Sequence, residues 1–140
     1  MPLYASRLKV GDVHSVRLVE DLSRTQIVQY AGASGDYNPL HTDEIFATKI
    51  AGYPTVFAHG MLTMGITSKM LTDYVGETRL TKYGVRFTNP VWPGDSLDAK
   101  ATVKALISRN GENFVELSVS TTNQDGVEVL RGYAEARIDP

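Results

Sequence analysis

The stretch GMLTMGITSKMLTDYVG, residues 60–76, constrains the fold more than any other part of the chain. Met61, Leu62, Met64, Ile66, Met70, Leu71, Tyr74 and Val75 recur at helical spacing and cover more than one face. A helix apolar nearly all round belongs in an interior. Gly65 and Ser68 are small residues within it, suited to close approach by another backbone, and Gly76 is a natural stop. Everything after Gly76 reads as β-structure. Tyr83, Val85 and Phe87 alternate, and Leu97, Ala99, Ala101, Val103, Ala105 and Ile107 alternate over a longer strand. Asn110-Gly111 marks a hairpin, since both positions tolerate positive φ. Val115, Leu117 and Val119 continue the sheet, and Gln124-Asp125-Gly126 turns into a last strand with Leu130, Gly132, Ala134, Ala136 and Ile138 on one face. Small residues on that face leave room for a closely packed helix. The expected architecture is an α+β domain, a long antiparallel sheet curled around one buried helix.

The N-terminal half adds smaller elements. Val13 to Val19 follows the Gly11-Asp12 turn as a first strand. Ser23 is positioned to cap a helix carrying Ile27, Val28, Tyr30 and Ala31, which should stop around Gly32–Gly35. Thr42-Asp43-Glu44 offers a cap and two acids to a short helix over about residues 43–50, ending before Gly52 and Pro54. With 140 residues and no internal repeat, low-complexity tract or linker, residues 1–140 read as one domain able to bury a substantial core.

Charge and composition narrow the function. Net charge is −2 and the 14 Lys and Arg are scattered, so there is no footprint for nucleic acid or an anionic membrane. There is no cysteine, which removes thiolate chemistry, disulfides and Cys-ligated zinc. MPLYASRLKVGD lacks the apolar segment of a secretory signal, and no run approaches the ~18 apolar residues of a membrane span, so the expected location is the cytoplasm.

Residues 34–41 read SGDYNPLH and hold the first candidate chemistry. Pro39 fixes its own φ and pushes Asn38 toward extended geometry, while Gly35 permits conformations closed to other residues. Fully extended, Asp36 and His41 could stand up to ~17 Å apart. A turn at Asn38-Pro39 could bring both to one water, where a carboxylate and an imidazole can share acid–base work near neutral pH. The residues equally allow Asp36 and Asn38 to make Asx-turns with their own backbone, leaving His41 at the surface. The second candidate is Ala58-His59-Gly60-Met61, where the central helix starts. Its first N–H groups lack intrahelical partners, and Gly60 has no side chain to block a ligand, so its N–H could serve a developing oxyanion. Gly60 could instead merely ease a crowded helix start.

Other chemistries find no support. His14, His41 and His59 show no metal-ligand spacing. Ser68 lies in a helix interior outside any GxSxG context, and no P-loop or dinucleotide fingerprint is present. The methionine-rich helix reads as core, and Arg86 as part of a solvated strand face.

Taken together, YAGASGDYNPLHTDEIFA (30–47), AHGMLTMG (58–65) and YGVRFTNPVWPGD (83–95) resemble the MaoC-like family of hot-dog-fold hydratases and dehydratases. The similarity extends over nearly the whole chain and is strongest in residues 25–95. The resemblance implies a single hot-dog domain and a hydro-lyase acting on trans-2-enoyl and (R)-3-hydroxyacyl thioesters. It implies Asp36 and His41 as the catalytic pair, the Gly60 N–H as oxyanion donor, Asn38 in an orienting role and Ser68 in support of Asp36. It implies no metal and no redox cofactor, with CoA or acyl-carrier protein as the carrier part of the substrate. A homodimer is expected, with pairing to a paralogous subunit as the alternative. A carrier-protein dehydratase subunit of fatty-acid elongation, a non-catalytic acyl-binding scaffold subunit and a hot-dog thioesterase are the competing functions.

Overall fold

Helix α2 spans Gly60–Val75 and is the element around which the rest is arranged. Met70, Leu71 and Val75 pack in one cluster with Ala99, Ala101, Val103, Val115, Leu117, Val119, Ala134 and Ala136 from three strands. Four of those strand residues are alanines, and their short side chains let the helix lie close to the sheet. Each large aliphatic side chain so buried contributes about 1.5–3 kcal/mol. A polar tie crosses the same interface, where the buried hydroxyls of Thr67 and Thr121 lie 2.7 Å apart.

The computed structural model describes residues 2–140. In chain order the elements are β1 (Val13–Val19), α1 (Arg24–Ser34), a π-helical turn (Phe46–Ile50), α2, β2 (Leu80–Phe87), β3 (Leu97–Arg109), β4 (Glu112–Thr122) and β5 (Glu128–Ile138). The sheet order is β1-β3-β4-β5-β2, antiparallel throughout. This is the expected α+β hot-dog arrangement, a five-stranded sheet with the helix against one face. No helix among the described residues is long and apolar enough to cross a membrane.

Local signals act largely as their chemistry dictates. The Ser23 hydroxyl accepts the Gln26 N–H at 3.0 Å, and α1 ends at Gly35 with φ 75°. Asn110 and Gly111, with φ of 53° and 79°, form the two-residue turn joining β3 to β4. Three expectations need correction. Helix α2 is not buried all round, because Met61, Gly65, Lys69 and Asp73 form an exposed i, i+4 stripe closed by a Lys69–Asp73 ion pair of 2.7 Å. The alternation along β3 breaks at a bulge between Val103 and Ala105, beyond which Ala105 and Ile107 are only half-buried. The short second helix is mainly a π-helical turn, and the side chain that caps it is Asp43, accepting the Phe46 N–H at 3.1 Å.

A second cluster sets the place of the functional loops. Leu22, Ile27, Ala58, Leu62, Val91, Leu97 and Val129 pack together, fixing α1 and the segment before α2 to one end of the sheet. The Glu44 carboxylate adds a polar staple, accepting from Arg24 at 2.8 Å and from the Thr55 hydroxyl at 2.8 Å. The Arg24 hydrogen bond holds the Glu44 carboxyl below its ordinary pKa.

Candidate active site

The loop after α1 is shaped by its own side chains. The Ser34 hydroxyl accepts the Asp36 N–H at 3.2 Å, the Asp36 carboxylate accepts the Asn38 N–H at 3.2 Å, and the Asn38 amide oxygen accepts the Leu40 N–H at 3.0 Å. The His41 N–H then donates to the Asn38 carbonyl at 3.0 Å, and the Asp43 N–H to the Pro39 carbonyl at 2.9 Å. The two Asx-turns that offered a purely local account are therefore present. They do not leave His41 at the surface, because the sharp reversal they create turns it inward to 9% exposure while Asp36 stays exposed.

Each histidine at the site has its proton placed by a backbone carbonyl. His41 Nδ1 lies 2.6 Å from the Phe57 carbonyl oxygen. A carbonyl only accepts, so Nδ1 carries the hydrogen and Nε2 keeps its lone pair. His59 Nε2 lies 3.0 Å from the Asp36 carbonyl oxygen, so there the hydrogen is on Nε2, and the buried Nδ1 has no partner. The two rings stack with centroids 3.8 Å apart and planes 26° from parallel. One ligand-type atom from each of Asp36, His41 and His59 lies within 4.8 Å of the others. Stacked rings hold their lone pairs in nearly parallel planes, whereas a metal ion needs donors converging on one point at about 2.0–2.1 Å. The cluster therefore lacks the convergence that metal ligation requires. Burial is the main influence on His41 and lowers its pKa, with His59 acting in the same direction and the Phe57 carbonyl and Asp36 opposing. His41 is thus a neutral base with a free Nε2 at physiological pH.

The start of α2 adjoins this pair directly, since His59 immediately precedes Gly60. The Leu62 and Thr63 N–H groups both return to the His59 carbonyl, at 3.1 and 3.3 Å, so the Gly60 and Met61 N–H groups precede the first helical bonds. A Cβ on Gly60 would sit 2.9 Å from two carbons of the Phe87 ring, so the glycine is also required by packing. The crowded helix start is thus observed, and the Gly60 N–H lies ahead of the first helical bonds. Beside this region, an apolar cleft of about 650 Å³ runs between α1, α2 and β1, lined by Tyr30, Leu62, Ile66, Met70, Val16 and Leu18. Tyr30 also packs edge-on against His59, at 4.9 Å between centroids. A separate concavity on the far face of the sheet, over Gly84, Gly132, Arg86 and Arg131, shares no residue with this site.

Asp36, Asn38, His41 and Gly60 are thus gathered at one end of α2. Ser68 is not. It lies more than two turns along the helix from Gly60, and its hydroxyl donates to the Gly65 carbonyl at 2.6 Å, so within the described residues of this chain it does not bond to Asp36. His59, which the sequence places in the Ala58-His59-Gly60-Met61 helix start without assigning it a role, joins them through its contacts with Asp36 and His41. The available signal was a lone polar residue at the end of the apolar run Val56-Phe57-Ala58, next to a helix start.

Residues 9–125 match the family model described as MaoC like domain. The chain belongs to the MaoC-like family. Over 98 residues this MaoC-like chain is 43% identical to the 3-hydroxyacyl-thioester dehydratase Y of Mycobacterium tuberculosis, covering 68% of the chain and 32% of that protein. It is 32% identical over 132 residues to the mitochondrial 3-hydroxyacyl-[acyl-carrier-protein] dehydratase of Arabidopsis thaliana, covering 92% of the chain and 76% of that protein. Among solved structures it superposes on the R-hydratase PhaJ1 of Pseudomonas aeruginosa with a TM-score of 0.81 and 27% identity, covering 96% of the chain and 84% of that structure. The chain spans less than a third of the length of the first curated relatives it matches.

Proposed function

We propose that this MaoC-like chain interconverts trans-2-enoyl and (R)-3-hydroxyacyl thioesters by adding or removing one water. The observation that carries the reading is the pairing of a neutral, inward-facing His41, its Nε2 unprotonated, with the Asp36 carboxylate beside the first N–H groups of α2. In hydration the water oxygen bonds to Cβ and the Cα–Cβ π bond breaks. The water gives up one proton to the Asp36–His41 pair, and Cα receives one from it. Charge moves onto the thioester oxygen as Cβ is attacked, and the Gly60 N–H at the positive end of the helix is suited to receive it. Asn38 serves by shaping the turn that carries Asp36. The thioester carrier, CoA or acyl-carrier protein, is part of the substrate, and the reaction needs no metal or redox cofactor. The acyl chain fits the apolar cleft between α1 and α2.

A carrier-protein dehydratase is the second reading, supported by the name of the mitochondrial Arabidopsis relative. Pairing with a second copy or a paralogous subunit belongs to the same proposal. It is supported by the outer edge of β2, which among the described residues pairs with β5 alone, and by exposed Tyr37, Ile50 and Phe87. Work in the cytoplasm is part of the proposal as well, and cell fractionation checks it. The central experiment is hydration of enoyl-CoA and enoyl-carrier-protein thioesters across chain lengths, with chiral analysis of the product. An (R)-3-hydroxyacyl thioester is expected. Free thiol release would mean thioesterase action, and binding without turnover, alone or with candidate partner subunits, would mean an acyl-binding scaffold.

A further inference from the structure

We infer that His59 is a positioning residue that fixes the two acid–base groups relative to each other, an inference resting on the hydratase reading above. The loop bonds joining Ser34, Asp36, Asn38 and Leu40 run between residues two apart, so they shape the loop without fixing it to the rest of the molecule. Three bonds anchor it, and all come from the strap Phe57–His59. The Phe57 N–H reaches the Leu40 carbonyl at 3.3 Å, the Phe57 carbonyl accepts from His41, and His59 Nε2–H holds the Asp36 carbonyl. Only the last acts at Asp36, whose side chain is otherwise exposed. The same imidazole stacks on His41 and is met by the Tyr30 edge, so one ring touches both members of the pair and the helix from which the loop emerges.

Packing alone does not account for a histidine here. The ring is 2% exposed and leaves Nδ1 buried without a partner. A phenyl ring would fill the same space without stranding a polar atom. What phenyl cannot supply is the Nε2–H. With that proton on the Asp36 carbonyl and the ring shut away from solvent, His59 is not arranged to exchange protons with substrate. It positions, and Asp36 and His41 react.

Two substitutions separate the ring from the donor. His59→Phe keeps the stacking face and loses the bond; His59→Gln can still donate to the Asp36 carbonyl but loses the ring. For His59→Phe the expectation is a kcat about 10–100-fold lower, from loosening Asp36 by a fraction of an ångström to an ångström. KM should stay within about threefold, because the lost contact orients reacting groups and does not hold substrate. His59→Gln should recover at least half of the lost kcat on a logarithmic scale. Imidazole 15N spectra of the unsubstituted protein give a readout independent of turnover: His59 should be protonated at Nε2 and His41 at Nδ1. Wild-type kcat in His59→Phe, equal losses in both variants, or a His59 proton on Nδ1 would each overturn the inference. If the unsubstituted protein hydrates no thioester, the hydratase reading fails instead, and the spectra alone decide the role of His59. They decide it likewise if a variant fails to fold.

Discussion

Gly60→Ala tests whether the start of α2 is held where the chemistry needs it. A Cβ built on Gly60 falls 2.9 Å from two carbons of the Phe87 ring and 3.1 Å from a third. Carbon–carbon contacts are most favourable near 3.5–4.0 Å, so the methyl intrudes by about 0.6 Å or more. Either the ring or the helix start must yield. Phe87 ends β2 and is 48% exposed, so part of the strain can be relieved by swinging the ring outward. The stability cost should fall at or below the 1–3 kcal/mol typical of overpacking, partly offset by up to about 1 kcal/mol from alanine's better helix propensity. Activity should suffer more. A single oxyanion donor contributes roughly 3–4 kcal/mol, and displacing it by about half an ångström should forfeit a third or more of that, lowering kcat at least about fivefold. The assay is kcat for enoyl-thioester hydration alongside thermal unfolding, for Gly60→Ala and for Gly60→Ala combined with Phe87→Ala. Removing the ring removes the clash, so the double variant should regain most of the lost kcat. Wild-type kcat in Gly60→Ala would refute the reasoning that the helix start yields to the Phe87 ring. Failure of the double variant to recover would refute Phe87 as the cause.

Asp36→Asn keeps an oxygen able to accept the Asn38 N–H, so the turn should survive while the charge is lost; Asp36→Asn and His41→Ala should each lower turnover by about 10²–10⁴ with near-native unfolding curves. Ser68→Ala should change kcat less than about twofold, because its hydroxyl bonds only within its own helix; a loss comparable to that of Asp36→Asn would contradict the placement described above. Ile66→Trp, which puts an indole into the apolar cleft, should spare short acyl chains and raise KM for long ones in a chain-length series. The folded His41 pKa lies below its ordinary 6.5, chiefly through burial. Between that lowered value and 6.5 the unfolded chain binds more protons than the folded one, so stability should rise with pH through this window and fall on acidification. The acid limb of kcat/KM should have its midpoint below 6.5 and vanish in His41→Ala.

The parts of the fold legible in the sequence were those fixed by local chemistry or strict periodicity. The Ser23 cap, the stop at Gly35, the Asn110-Gly111 hairpin and the alanine-rich faces of β3 and β5 each follow from residues that touch their neighbours in sequence. The β3 bulge was not legible, because nothing in ALISR distinguishes a strand that continues its alternation from one that slips by a residue. Helix α2 carries an exposed stripe despite its methionines, since Gly65, Lys69 and Asp73 sit four apart and set one face against the rest. Ser68 was legible as a residue of the central helix but not in its placement: at about 1.5 Å of rise per residue, eight residues carry it roughly 12 Å from Gly60.

The loop SGDYNPLH makes the division of labour plain. Its Asx-turns looked like an alternative to function, because side chains engaged with their own backbone seem unavailable for chemistry. In the proposed mechanism they are what places the reacting groups. A carboxylate has two oxygens with room for several donors, so Asp36 can accept the Asn38 N–H and still face a water. The turns then determine the direction of His41, and burial together with the Phe57 carbonyl determines its tautomer and protonation state. What the loop cannot do by itself is hold its place relative to α2, where the proposed oxyanion donor lies. That task falls to a strap 16 to 23 residues away, and to a histidine whose contacts only the folded arrangement reveals.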